Sequence, residues 1–407
     1  MRLIPLKIHT IKEAKRLMCR IGVDSRGIEI MAPKTLHFCF KIEDINSLYA
    51  NIIKQHLLSL GSDAAIDRKA LTKRIKTSLV LFGTFRQIDK LISKLKSQPF
   101  ELKEIAYKLE EALKREKNRN LIFKARNKLL KIKKPILCGI INVTPDSFSG
   151  DGLLKKCVLG SRKFKEIILK KTDEMVKNGA KIIDIGGEST RPYSKRIDEK
   201  EEIRRVIPAI KIIRKKFSDV FLSIDTYKYK VAKEAVEYGV DIINDITALR
   251  NSPRLVNLIA KYKLGCILMH MKGTPQTMQL NPLYKKGVVE EIFDFLSGRI
   301  EFCLNNKIRK DQIMIDPGIG FGKRLQDNYQ ILNKLYILKS LCVPIFLGVS
   351  RKSFIGKVLK LDIEERIYGT ISALSISYIK GADVLRVHDV KEAYQALKIA
   401  YLIKEVN

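Results

Sequence analysis

The chain has 407 residues, of which 45% are hydrophobic and 30% charged, with 23 Gly and 12 Pro; this suggests two domains and excludes disordered, collagen-like and Pro-rich chains. Lys plus Arg number 78 against 44 Asp plus Glu, a formal net charge of +34. No apolar run reaches the ~18 residues of a membrane span, and the basic opening has no continuous apolar stretch of the kind a secretory signal needs, so a cytoplasmic protein is expected.

In chain order, residues 1–118 have the texture of a small α+β domain. Runs at 3–9, 35–42 and 77–83 predict strands, those at 11–21, 46–59 and 85–95 predict helices, and 102–117 predicts a charged helix. Residues 119–135 form a linker in which 121–125 and 128–132 flank Arg126-Asn127, a hairpin pattern suited to closing the bottom of a barrel. From 136 to 407 one pattern repeats: an apolar run, a polar turn, then helical periodicity. The apolar runs are 136–142, 180–185, 220–225, 240–245, 266–270, 313–316, 344–349 and 382–388. The helical spacing is plain in Val231/Ala235 with Ala232/Val236, and in Ile292/Leu296/Ile300. Buried strands alternating with helices call for parallel βαβ units. Eight units match the ~250 residues of a (β/α)8 TIM barrel, and a doubly wound open sheet, which does not need eight, is the weaker alternative.

The cysteines (Cys19, Cys39, Cys138, Cys157, Cys266, Cys303 and Cys342) are scattered and never form CxxC. Small apolar core residues in a reducing compartment explain them better than a disulfide framework or a zinc knuckle. The net charge raises the question of nucleic acid. Basic runs such as Lys131-Ile132-Lys133-Lys134 and Arg214-Lys215-Lys216 lack interleaved aromatics, however, so lysines solvating helix faces are preferred over a nucleic-acid surface. A basic mouth that attracts a phosphorylated substrate fits either reading.

Function in such a barrel sits at the carboxyl ends of the strands. Those ends read Asn142; Asp184 with Glu188-Ser189-Thr190-Arg191; Asp225; Asn244-Asp245; Met269-His270; Asp316; Ser350-Arg351-Lys352; and Arg386 with His388. Polar groups gathered at one rim are costly to bury unless paired or bound to a ligand. Singly, Asp225 or Asp245 is explained by capping the next helix, and His270 by a satisfied core histidine, which is the preferred reading of it. Together, Asn, Asp and Lys suit a flat heterocycle with a donor–donor edge, whereas Arg, His and Ser suit phosphate or carboxylate.

Gly139-Ile-Ile-Asn142-Val-Thr-Pro-Asp146-Ser-Phe148-Ser149 resembles the first signature of dihydropteroate synthases, and Asp184-Ile-Gly-Gly187-Glu-Ser-Thr190-Arg191-Pro192 their second. The resemblance continues through Ser223-Ile-Asp225-Thr226, Ile243-Asn244-Asp245, Leu268-Met269-His270-Met271, Asp316-Pro-Gly318-Ile-Gly-Phe321-Gly322-Lys323, Gly348-Val-Ser350-Arg351-Lys352-Ser353 and Arg386-Val-His388-Asp389. It covers roughly residues 121–403, and its motifs fall in order on the expected strand ends.

The resemblance implies condensation of 6-hydroxymethyl-7,8-dihydropterin diphosphate with 4-aminobenzoate, giving 7,8-dihydropteroate and pyrophosphate in folate synthesis. It implies pterin binding by Asp225, Asn244, Met269, Asp316, Phe321, Gly348 and Lys352. Asn142, Thr190, Arg386 and His388 would take the diphosphate, with Mg²⁺ near Asn142. Phe148, Thr190, Arg191, Pro192, Phe321 and Ser350 would form the 4-aminobenzoate pocket. Lys352, Arg386, His388 and Asp225 would carry the chemistry, and a homodimer through barrel helices is implied.

Two departures are visible. Tyr193-Ser194 replaces a small Gly-Ala type step, and Arg324 stands where Thr is common. Residues 1–118 resemble an extension of some bacterial members, in Leu57-Leu-Ser-Leu-Gly61-Ser-Asp63-Ala-Ala65 and in Phe82-Gly83-Thr84 followed by Gln98-Pro99-Phe100, with no activity to transfer. An interaction or dimerisation module is the expectation there, with Asp63 and Asp67 as loop and cap residues rather than metal ligands. Two alternatives remain at this point. A methyltetrahydrofolate:corrinoid methyltransferase would share the pterin residues but not need the Asn142 loop, Ser350-Arg351-Lys352 or Arg386 and His388 for a diphosphate. A non-catalytic pterin or nucleic-acid binding barrel would not need intact first and second signatures.

Overall fold

The computed structural model describes residues 1–99, 101–117, 121–144, 157–189 and 196–405. Two compact units divide the chain, Met1–Arg119 and Asn120–Val406.

The first unit holds an antiparallel sheet of β1 (His37–Asn46), β2 (Asp63–Ile66) and β3 (Lys76–Thr84) in the order β1-β3-β2. Ile45, Leu79 and Leu81 of the sheet pack with Ile53, Leu57, Ile88, Leu91 and Leu95 of helices Ser47–Ser59 and Phe85–Lys96. The helix over Phe85–Lys96 is started by a capping box, in which Thr84 and Gln87 each satisfy the other's backbone N–H. The strand expected at 3–9 does not form: Leu3, Ile4 and Leu6 are exposed, and no neighbouring strand pairs with them. A β-rich run without a pairing partner leaves its backbone donors to water. Asp67 caps a short turn, accepting from Lys69 N at 2.8 Å, and Asp63 pairs with Lys54 at 2.9 Å.

The second unit opens with the hairpin of β4 (Leu121–Ala125) and β5 (Lys128–Ile132), followed by eight parallel strands. These are β6 (Ile136–Asn142), β7 (Ala180–Gly186), β8 (Phe221–Asp225), β9 (Ile242–Asp245), β10 (Gly265–Met269), β11 (Ile313–Asp316), β12 (Phe346–Gly348) and β13 (Val384–Val387). Their order is β11-β10-β9-β8-β7-β6-β13-β12, and a parallel bridge between Ile315 and Ile345 closes the ring from β11 to β12. The unit is a (β/α)8 TIM barrel.

Two apolar layers stabilise it. Inside, Cys138, Ile182, Phe221, Ile242, Ile267, Met314, Phe346 and Val384 fill the barrel, and Phe123, Ala125, Leu130 and Ile132 of the hairpin pack against them from below. Outside, the helices pack on the opposite faces of the same strands, as with Ile183, Leu222 and Leu268 against Ile210, Val231 and Ile259. Strands buried on both faces lose period-2 alternation and read as continuous apolar runs. Each strand delivers its last residue to the upper rim, where the polar groups collect.

Candidate active site

The rim encloses a pocket whose wall includes Asn142, Asp225, Asn244, Met269, Asp316, Phe321, Gly348, Ser350, Lys352, Arg386 and His388. These are all the sequence-predicted site residues that lie within the described residues. Phe148, Thr190, Arg191 and Pro192 lie outside them, as do Tyr193 and Ser194. Ile140, Thr144, Glu188, Ser189, Ile246, Met278, Gln279 and Ile319 also line the pocket and were not singled out from sequence for ligand contact.

At the centre Arg386 bridges two carboxylates. Its Nε donates to Asp184 Oδ2 at 2.6 Å and its Nη2 to Asp225 Oδ2 at 2.9 Å. Asn244 Nδ2 donates to the same Asp184 oxygen at 3.1 Å. The pairing of β7 with β8 sets Gly186 beside Asp225, so no side chain separates Asp225 from Asn142 across β7.

On the other side, β11 and β12 present Asp316 and Lys352. Asp316 Oδ1 accepts from Gly318 N at 2.7 Å, and Lys352 donates to the Ile319 carbonyl. The Lys352 ammonium lies 5.0 Å from the centre of the Phe321 ring. The loop carrying Phe321 needs glycine at two points. Gly318 and Gly322 both have positive φ, and a Cβ there would meet the carbonyls of His270 and Lys272.

His388 Nδ1 lies 2.9 Å from Ser350 Oγ, and both side chains line the pocket. Arg351 is instead engaged by Asp389, Nε to Oδ2 at 2.9 Å, and does not line the pocket.

The electrostatics follow from this burial. Burial pushes the Asp225 carboxyl up to about 7; Arg386 opposes that shift and Asp184 adds to it. Burial likewise raises Asp316 and lowers the Lys352 ammonium to about 8, although Asp316 and Lys352 each favour the other's charged form. Burial disfavours the Arg386 cation, but Asp184 and Asp225 outweigh it and hold the guanidinium charged.

Two other strand-end groups have structural occupations. Asp245 accepts from Thr247 N at 2.7 Å and Leu249 N at 2.9 Å, closing the turn after β9; the next helix, Pro253–Tyr262, starts from Ser252, so Asp245 is not the cap of that helix. His270 is buried edge-on to Phe295 with its Nδ1 3.0 Å from Lys323 Nζ, and burial lowers its pKa to about 2, so it is a neutral core histidine.

The arrangement can hold a flat heterocycle with two hydrogen-bond donors on its edge against Asp225 and Asp316, with Met269 and Phe321 offering apolar faces. It can hold an anion beside Arg386 and His388. A closed βα barrel with that pocket at its carboxyl rim defines an enzyme for an anionic derivative of a planar nitrogen heterocycle. The chain belongs to the pterin binding enzyme family, which matches residues 138–388.

It is 41% identical over 275 residues to the dihydropteroate synthase of Haemophilus influenzae, covering 68% of this chain and 96% of that one. Among solved structures, the Yersinia pestis dihydropteroate synthase with a sulfonamide drug superposes with a TM-score of 0.65 at 38% identity, covering 70% of this chain and all of that one. The Xanthomonas albilineans dihydropteroate synthase with 4-aminobenzoic acid gives a TM-score of 0.63 at 34% identity, covering 71% of this chain and 100% of that one.

Proposed function

We propose that the barrel is a transferase with dihydropteroate synthase activity, joining 6-hydroxymethyl-7,8-dihydropterin diphosphate to 4-aminobenzoate with release of pyrophosphate, in folate synthesis. The observation that carries this reading is one pocket holding Asp225, Asn244, Asp316 and Lys352 together with Arg386 and His388. Relatives covered almost to their full length bear that name.

Asp225, Asn244, Asp316 and Lys352 hold the pterin edge, with Met269, Phe321 and Gly348 shaping the slot around the ring. A carboxylate can accept two donors of an aminopyrimidine edge. Arg386 and His388, with Asn142 and Thr190, take the diphosphate. Phe148, Thr190, Arg191, Pro192, Phe321 and Ser350 take 4-aminobenzoate, Ser350 meeting its carboxylate.

The C–O bond to diphosphate breaks, the electron-rich dihydropterin shares the positive charge left on its methylene, and the amine lone pair forms the new C–N bond before losing a proton. Positioning and stabilisation of separated charge carry such a reaction, and no strong base is required. Arg386 and His388 stabilise the leaving group, while Asp225 and Asp316 face the cationic ring system.

Mg²⁺ is the metal this reading implies. Among the described residues no group of three or more His, Cys, Asp or Glu side chains is arranged to hold a metal. Asn142 offers a neutral oxygen donor at the pocket wall. Such a donor fits Mg²⁺, which binds through few protein oxygens, substrate phosphates and retained waters. Bound there, it would neutralise charge on the diphosphate.

We assign 136–407 as the catalytic barrel, 119–135 as the linker and hairpin, and 1–118 as an extension with an interaction role. The assembly is a cytoplasmic homodimer. Among the described residues no helix is long and apolar enough to cross a membrane.

Substitutions test the assignment by substrate. Asp225→Ala or Lys352→Ala should abolish pterin binding in calorimetric titration. Arg191→Ala should mainly raise KM for 4-aminobenzoate. Loss of pterin diphosphate binding in Arg191→Ala, with the second substrate absent, would remove Arg191 from the 4-aminobenzoate pocket.

A further inference from the structure

Asp184 is fully buried, two residues deeper along β7 than Gly186, the residue that pairs with Asp225. It does not line the pocket. Its Oδ2 accepts from both Arg386 and Asn244, at 2.6 and 3.1 Å. Its Oδ1 has no hydrogen-bond partner among the described residues, nor has the buried hydroxyl of Ser223, its register partner on β8. A buried carboxylate only half satisfied is costly and asks for a reason.

The reason lies in how Arg386 divides its donors. A guanidinium and a carboxylate favour two-pronged pairing, in which both carboxylate oxygens are taken. Arg386 instead gives Nε to Asp184 and Nη2 to Asp225. The Asp184 side chain is 0% exposed and that of Asp225 18%, so the deeper carboxylate attracts the guanidinium through a drier medium.

We propose that Asp184 is a positioning residue of this site: it holds Arg386 off the second oxygen of Asp225 and fixes the Asn244 carboxamide, leaving Asp225 open to the donors of the pterin edge. This rests on the pterin reading above. Remove the charge at position 184 and Arg386 is free to close onto Asp225 in a two-pronged pair. The pterin then competes with an internal cation for its own acceptor. The separation of 202 residues between Asp184 and Arg386 hides this relation from any local motif.

The test uses the full chain and 6-hydroxymethylpterin without diphosphate, so that Arg386 contributes no anion contact, with affinity read by calorimetry. Asp184→Asn, which keeps the shape and removes the charge, should weaken binding about tenfold or more. Adding Arg386→Ala to Asp184→Asn should recover most of that loss, because Asp225 is freed. A purely structural role for Asp184 predicts no recovery. Asp184→Ala enters the same comparison in case the isostere does not fold, and circular dichroism melts accompany every variant.

A double variant that binds no better than Asp184→Asn would overturn the proposal, as would a single variant with wild-type affinity. Wild-type protein that fails to bind the pterin would overturn the pterin reading itself and the proposal with it. Wild-type binding without recovery in the double variant would overturn the role of Asp184 alone.

Discussion

Asp225 shows how a binding residue loads stability onto pH. Burial raises its carboxyl to about 7, against roughly 3.9 for an unfolded aspartate. Between those values the folded state holds a proton that the unfolded chain has released. The stability it contributes is therefore complete below about pH 4 and is lost as pH rises through about 7. Asp225→Asn cannot ionise and escapes that loss. Relative to wild type, its unfolding free energy should rise between pH 5 and pH 8 by on the order of 1–3 kcal/mol. Urea unfolding at three pH values reads this directly, and a pH-independent difference would show that the carboxyl titrates normally. Lys352, lowered to about 8 by the same burial, remains mostly charged at neutral pH, so the pocket keeps a cation beside Asp316.

At the scale of elements, the hairpin of β4 and β5 tests what stabilises the barrel floor. Phe123 is fully buried among the inward-facing strand residues, with its ring 6.3 Å from that of Phe221. Phe123→Ala should cost about 3–5 kcal/mol in denaturant unfolding and leave kcat unchanged well below the melting temperature. A cost under about 1 kcal/mol would mean the floor collapses around the gap.

The same elements show what a sequence reveals. The run at 136–142 coincides with β6 because a strand buried on both faces is apolar along its whole length. Strand ends are legible where an apolar run stops at a polar residue, as at Asn142, Asp225, Asp245, Asp316 and His388, and Asn244 and Arg386 stand one and two residues before such a stop. The run at 3–9 has the same local character but nothing to pair with, which no local pattern reveals. The helix over Ser25–Met31 was missed although Asp24 caps it, because it is short and contains Gly27. Asp184 reads from the sequence as a strand-end group but lies two residues inside β7, and its partners Arg386 and Asn244 are brought to it only by the closed ring.

At the scale of the whole molecule, two helices expose large apolar side chains. Ile376 and Ile379 of Ile367–Lys380 are 53% and 50% exposed, and Ile399 and Ile403 of Val390–Glu405 are 58% and 64% exposed. The two helices pack side by side, and these isoleucines are where the proposed homodimer is tested. Sedimentation should give twice the chain mass for wild type and a monomer for the Ile379→Glu, Ile399→Glu variant; a monomeric wild type would contradict the homodimer. The net charge of +34 belongs to the same scale: if it steers the diphosphate substrate, KM for that substrate should rise with added salt more than KM for an uncharged analogue.

The central claim is the reaction itself. Purified full-length protein, given dihydropterin diphosphate, 4-aminobenzoate and Mg²⁺, should form dihydropteroate and pyrophosphate in equal amounts. Folded protein that binds the pterin yet forms neither product would contradict the account, leaving the barrel a binding module.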